Sequence, residues 1–153
     1  MIKFCNLYSG SSGNSTFLEY NDTRILIDAG VSCQKITKGL SELNVSLEEI
    51  DGILITHEHS DHVKGLTTVC KKYDIPIYTT QKTWKQLSLL KLPEYNHVEF
   101  QANKNFCIGD LEIHPFSIPH DAVDPCAFNI TAGKKKITIA TDIGHVTKDI
   151  YEN

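Results

Sequence analysis

The chain has 153 residues, of which 41% are hydrophobic and 22% charged, with a formal net charge of -4. That length fits one domain able to bury about 68–70% of its unfolded surface, and the composition excludes a disordered or low-complexity chain. The negative balance offers no overall basic footprint for nucleic acid, although bound divalent metals would add positive charge that this count omits.

From the N-terminus, Ile2–Tyr8 alternates loosely with β-branched and aromatic members and predicts a strand, followed by the loop Ser9-Gly10-Ser11-Ser12-Gly13-Asn14-Ser15. Thr16–Tyr20 and Arg24–Asp28, joined by the tight turn Asn21-Asp22, complete an antiparallel meander ending at Ala29-Gly30. Ser32 caps a helix running to about Leu43, with Ile36, Leu40 and Leu43 at helical spacing. Ser46-Leu47-Glu48-Glu49 is a capping box ahead of the buried strand Ile53–Thr56. From Asp61 or His62 a further helix carries Val63, Leu66, Val69 and Cys70 inward and must stop before Pro76. The strand Pro76–Tyr78 and a short helix Lys82–Leu90 come next.

After Pro93 the pattern returns to β: His97–Phe100, Phe106–Ile108 and Leu111–Ile118, separated by turns at Asn103–Asn105 and Gly109-Asp110. Pro119-His120-Asp121 breaks the last of these. Ala127–Thr131 and Lys136–Ala140 form a hairpin around Ala132-Gly133-Lys134, Thr141-Asp142-Ile143-Gly144 closes the final strand, and Val146–Asn153 starts a helix at most. With no linker or repeat, residues 1–153 read as one domain. No apolar run approaches the ~18 residues of a membrane span. Five scattered cysteines (Cys5, Cys33, Cys70, Cys107, Cys126) without a CxxC pair read as reduced thiols in or near a core, so the expected address is the cytoplasm.

The chemistry concentrates where the apolar run Ile53-Leu54-Ile55 gives out, in Thr56-His57-Glu58-His59-Ser60-Asp61-His62. Imidazole nitrogen and carboxylate oxygen are ligands for zinc and its first-row neighbours, and no cysteine stands close enough for a structural thiolate site. A histidine-rich surface turn is the plain alternative, and four ligand-type residues behind a buried strand weigh against it. Side chains 57 and 59 point the same way along an extended segment, whereas 61 and 62 follow where the chain turns into a helix. One metal cannot easily take all four, so His57 and His59 are assigned to a first ion and Asp61 and His62 to a second, about 3.5–4 Å away. Asp28, His120 and Asp142 stand at three further strand ends, where a carboxylate is costly to bury unless it meets a cation or collects hydrogen bonds.

Together these residues resemble the metallo-β-lactamase superfamily, whose signature HxHxDH stands here as His57-Glu58-His59-Ser60-Asp61-His62. The resemblance spans the chain and implies an α/β fold, the αββα sandwich, of which the chain supplies the N-terminal half plus part of the second sheet. It also implies that His120 completes the first metal and Asp142 bridges both, giving the ligand set His57, His59, Asp61, His62, His120 and Asp142. Asp28 matches an aspartate that supports the metal-binding loop. Leu7–Ser15, Ile27-Asp28-Ala29-Gly30 and Thr141-Asp142-Ile143-Gly144 look most like the YycJ/WalJ group of bacterial proteins, which is associated with DNA exonuclease activity. Full-length members complete the second metal with a late histidine for which this chain has no match, so the domain is expected to be incomplete at its C-terminus. His145 reads as a solvated helix-start residue rather than a substitute, and His97 and His114 as ordinary surface or strand residues. A shortened second half should also leave part of the first sheet's inner face bare, and with it a surface for homo-oligomerisation.

The implied cofactors are two divalent ions, zinc or else manganese, and the implied reaction is hydrolysis by a metal-bound hydroxide, since two ions bring the pKa of a bridging water from 15.7 toward ~7. Asp61, His59 and Asp28 are the residues expected to carry catalysis: Asp61 orients the hydroxide, His59 holds metal, and Asp28 accepts a ligand's imidazole N–H. Phosphodiesters of DNA are the expected substrate. A thioester hydrolase resembling glyoxalase II is the enzyme rival, and a non-catalytic metal-binding module is the reading from a different class. Ser9–Ser15 could cradle a phosphate with its backbone N–H groups, and Lys134-Lys135-Lys136 could touch a nucleic-acid backbone, though a plain loop and a solvated turn account for them as well.

Overall fold

The N-terminal alternation becomes β1 (Ile2–Tyr8), β2 (Ser15–Tyr20) and β3 (Thr23–Ile27), an antiparallel meander in the computed structural model, which describes residues 1–153. Three short strands then add in parallel, β4 (Gly52–Leu54), β5 (Ile77–Thr79) and β6 (His97–Glu99), to give a six-stranded sheet in sequential order. Parallel neighbours require crossovers. These are α1 (Cys33–Ser41), the pair α2 (Ser60–Val63) and α3 (Leu66–Lys72), and α4 (Gln81–Gln86). Successive strand side chains face opposite ways, so Phe17, Leu26, Ile53 and Ile77 pack with Ile36, Leu40, Leu66 and Val69 of the helices. The alternate set, Leu18, Ile25, Ile27 and Leu54, faces a second sheet.

That sheet is antiparallel throughout: β7 (Phe106–Ile108), β8 (Leu111–Ser117), β9 (Cys126–Ala132) and β10 (Lys135–Ile139), in the order β10-β9-β8-β7. Its inner residues Ile108, Leu111, Ile113, Phe128 and Ile130 close the inter-sheet core. Phe128 is fully buried, and truncating such a side chain to alanine costs about 3–5 kcal/mol. On the outer face of this sheet only α5 (Lys148–Glu152) is present, with Ile150 against Phe116 and Ala127. The layers are therefore those of an αββα sandwich.

Several boundaries differ from the sequence expectation for local reasons. α1 ends at Ser41 rather than near Leu43, because Asn44 takes a left-handed φ of 57° and the Val45 N–H returns to Leu40 O. The helix expected from Asp61 through Cys70 breaks at Gly65, whose N–H donates to Ala29 O at 2.8 Å and where a Cβ would stand 2.2 Å from Val31 O. β4 ends at Leu54, and the capping box of Ser46 and Glu49 opens only a 3₁₀ turn, Leu47–Glu49. Residues Leu87–Leu90 likewise form a 3₁₀ turn after α4.

The expectation of a bare inner face is overturned over most of the first sheet, because the four-stranded second sheet covers it. Leu18, Ile25, Ile27 and Leu54 are all 2% exposed or less; only the edge strands keep exposed inner-face residues, Phe4 (46%) and Val98 (39%). The broad apolar patch on which self-association was premised is absent. All five cysteines are free thiols, and Cys107 is exposed rather than packed. No helix is long and apolar enough to cross a membrane.

Candidate metal centre

Chain exits from several strands meet at one end of the sandwich. Asp28 follows β3 and Asp142 follows β10, both with left-handed backbone, φ 64° and 56°; aspartate tolerates this conformation better than most residues. Residues 55–62 leave β4, and His120 lies in the loop from β8 to β9. Backbone hydrogen bonds lace three loops together under the site: Asn14 N–H to Asp61 O (2.8 Å), Gly30 N–H to Asn14 O (2.8 Å) and Ala29 N–H to His62 O (2.9 Å). The approach is so close that a Cβ at Gly30 would stand 1.6 Å from Asp61 O, which only glycine permits.

Two clusters of ligand atoms result. His57, His59 and His120 form one and His57, His62 and Asp142 the other, each with its donor atoms within 4.8 Å of one another. His120 Nε2 faces His59 Nδ1 at 3.2 Å, and His62 Nε2 faces Asp142 Oδ2 at 3.1 Å. Asp61 Oδ2 is 3.4 Å from His62 Nε2, beside the second cluster rather than within it. His57 belongs to both, where the sequence reading assigned it to the first alone.

Asp28 stands behind the imidazoles, 2% exposed. It accepts the Thr56 N–H (2.9 Å), the Thr56 hydroxyl (2.8 Å) and His62 Nδ1–H (2.7 Å). Because the hydroxyl proton goes to Asp28, the 2.9 Å contact between Thr56 Oγ1 and His57 Nδ1 has the ring donating. Both His57 and His62 are thereby held with Nδ1 protonated and Nε2 bare, the form that ligates metal. Asp28 thus orients the His62 ring directly and the His57 ring through Thr56, from behind the two clusters.

The donor set fits a cation on a further count: His57 Nε2 is buried with no hydrogen-bond partner. A buried polar atom left orphaned costs about 1–3 kcal/mol unless something satisfies it. Burial first, then the neighbouring His62, His59 and His120, push the His57 imidazole down to about 3, so it stays neutral at physiological pH. Burial would lower His62 as well, but the Asp28 hydrogen bond and charge hold it above its ordinary value. Burial raises the Asp28 carboxyl, opposed by His62 and Thr56.

Residues 23–153 match the family model of the β-lactamase superfamily domain. The chain belongs to this superfamily. It is 40% identical over 150 residues to exodeoxyribonuclease WalJ of Streptococcus pneumoniae and 33% identical over 148 residues to exodeoxyribonuclease YycJ of Bacillus anthracis. Each alignment takes in 95% of this chain and 56% of the relative, so the chain spans little more than half the length of either. Among solved structures, Zn²⁺-bound PqqB from Methylobacterium extorquens superposes with a TM-score of 0.75 at 19% identity, over 91% of this chain and 56% of that one. The superfamily fold and the histidine clusters imply binding of divalent metal.

Three residues of the centre were not singled out from the sequence. Thr56 relays Asp28 to His57. Glu58 accepts the Val123 N–H at 2.9 Å and so ties down the loop that carries His120. Asn14, within the Gly/Ser run, accepts the Gly10 N–H at 3.1 Å through Oδ1, which turns its NH₂ group toward Asp61 Oδ2 and His62 Nε2, each 3.3 Å away. A polar residue flanking a ligand was the one signal for Thr56 and Glu58; for Asn14 there was none beyond the loop's composition. His145 is exposed and joins neither cluster. His97 stacks on Trp84 and contacts Thr79 Oγ1 at 3.0 Å, and His114 contacts Asn105 Oδ1 at 2.6 Å.

Proposed function

We propose that this chain is the metal-binding part of a metal-dependent phosphodiesterase that acts on DNA as an exonuclease. The observation that carries the metal-dependent reading is the orphaned His57 Nε2 where two ligand clusters meet; the DNA substrate rests on the two exodeoxyribonuclease relatives. His57, His59 and His120 hold the first of two ions, and His62, Asp142 and Asp61 the second. Zinc suits these nitrogen and oxygen donors, with manganese the other candidate. Bound there, the ions supply a water deprotonated near neutral pH and a Lewis acid for the charge that develops on the attacked centre.

The chain's own residues do the rest. Asp28 and Thr56 keep the His57 and His62 tautomers correct, Asn14 holds the Asp61 carboxylate by one oxygen, and Glu58 fixes the His120 loop. Asp61, 30% exposed, orients the attacking water. Free thiols suit a reducing cytoplasm.

The test is a side-by-side assay of a DNA duplex, bis(p-nitrophenyl) phosphate and S-lactoylglutathione, with elemental analysis of metal and His59→Ala as control. Two equivalents of metal, turnover of both phosphodiesters and an inert control are expected. Preference for the thioester installs the glyoxalase II-like reading, and inertness toward all three with metal loaded leaves a metal-binding module.

A further inference from the structure

The loop Ser9–Ser15 has two sides. On the inner side Asn14 reaches the metal centre, and three of the loop's amides bond within the fold: Gly10 N–H to Asn14 Oδ1, Gly13 N–H to Gly10 O and Asn14 N–H to Asp61 O. On the outer side lies an open cavity of about 300 Å³ lined by Ser12, Val31, Ser32, Lys35 and Lys64.

Two cations and two hydroxyl-bearing residues converge there, with no carboxylate in the lining. Both lysines are anchored. Lys64 Nζ donates to Ser12 O, and Lys35 Nζ lies 6.0 Å from the centroid of the Tyr8 ring, whose hydroxyl donates to Lys35 O at 2.9 Å. Neither is neutralised, since the lysine and arginine ion pairs are Lys3–Glu19, Arg24–Glu19, Arg24–Glu49 and Lys148–Glu152. In a chain of net charge -4, two ordered and uncompensated ammonium groups in one concavity are suited to an anion. Position narrows the anion: Lys64 lies two residues after His62 and three after Asp61, and Ser12 two before Asn14.

We propose that Lys35, Lys64 and the Ser12 hydroxyl bind a backbone phosphate of the DNA strand next to the one being cleaved, with the strand passing over the Ser9–Ser15 loop. This rests on the phosphodiesterase reading and adds a second anchoring point. Lysine serves here as a point charge for a phosphate and carries no base readout, so the site is indifferent to sequence.

The experiment measures binding of a fluorescein-labelled single-stranded oligonucleotide by anisotropy across a salt series, with EDTA present so that the strand is not cut. It compares wild type, Lys35→Ala, Lys64→Ala and Lys35→Arg; metal-loaded steady-state kinetics accompany it. Each alanine variant should make the slope of log affinity against log salt shallower, by up to about 0.7, the value of one released counterion on a single strand, because the two lysines share one phosphate. The KM for DNA should rise with kcat kept, and bis(p-nitrophenyl) phosphate, which has no neighbouring phosphate, should be turned over as by wild type. Lys35→Arg should retain the wild-type slope. Unchanged slope and KM in Lys35→Ala, which leaves the Lys64–Ser12 link in place, overturn the subsite while DNA cleavage by wild type upholds the parent reading. Wild type that cuts neither phosphodiester, yet binds the oligonucleotide through these lysines, overturns the parent reading and keeps the subsite.

Discussion

The two ligand clusters share His57 and differ in how their other members are held. His59 and His120 sit on backbone secured from both sheets, by Cys126 N–H to Thr56 O (2.9 Å), Ile118 N–H to Pro125 O (3.1 Å) and Val123 N–H to Glu58 Oε1 (2.9 Å). In the second cluster His62 is equally fixed, 1% exposed and bonded to Asp28, but Asp142 keeps 38% of its side chain exposed. Its segment beyond β10 is tied back by Gly144 N–H to Pro119 O at 3.0 Å. Preorganisation has a gradient across the centre: the first cluster is tied down by hydrogen bonds from both sheets, and Asp142 leaves the second cluster more exposed. Ordering of exposed groups costs conformational entropy, so the second position should bind metal more weakly.

The largest effect expected is that of His59→Ala. It removes a ligand from the preformed cluster, so activity should fall by more than the ~10–100-fold that loss of an outer partner costs, and elemental analysis should show the tighter ion gone. Asp142→Asn comes next: metal content should fall from two equivalents to one, with the remaining ion as tightly held as before in a chelator competition. Loss of both ions would break the distinction between the clusters. Asn14→Ala should weaken only the second ion, by about tenfold, measured by metal titration, because it frees Asp61 and leaves the three histidines untouched.

The smallest effect is a pH dependence of the chelated protein. His57 is lowered from 6.5 to about 3 by burial and its imidazole neighbours, so the unfolded chain binds more protons than the native state between those values. The stability it contributes is complete above 6.5 and is lost progressively as pH falls toward 3. His62, raised above 6.5, acts oppositely, its contribution present below that pH and lost as pH rises through its folded value. The His57 Cε1 proton should therefore hold its NMR shift between pH 7.5 and about 5, and His57→Gln should flatten the decline of Tm in that interval. A shift that moves with a midpoint near 6.5 would show that the ring is not buried in solution.

Much of this centre was legible in the sequence because its ligands stand at strand exits, where imidazole or carboxylate directly after an apolar run points to a cation. His57, His59, Asp61 and His62 fall within six residues and announce themselves. His120 and Asp142 are 58 and 80 residues beyond His62, and their positions after strands together with the family resemblance linked them to it. Asn14 was illegible: an amide in a Gly/Ser loop points to no chemistry until Asp61 lies beside it. The break at Gly65 was also hidden, since helical spacing runs through it and the acceptor that draws off the Gly65 N–H is Ala29 O, from another loop.

Alternation of apolar side chains was enough to place most of the strands, because side-chain direction follows backbone geometry, and the HxHxDH motif named His57, His59, Asp61 and His62; the two-sheet architecture and the roles of His120 and Asp142 came from the family resemblance that these residues carry. Which ring nitrogen is free, that His57 serves two clusters and that Lys35 and Lys64 converge outside the Ser9–Ser15 loop were decided only by the tertiary structure. Those are facts about atoms brought within a few ångströms by segments far apart in the chain, and no local pattern encodes that distance.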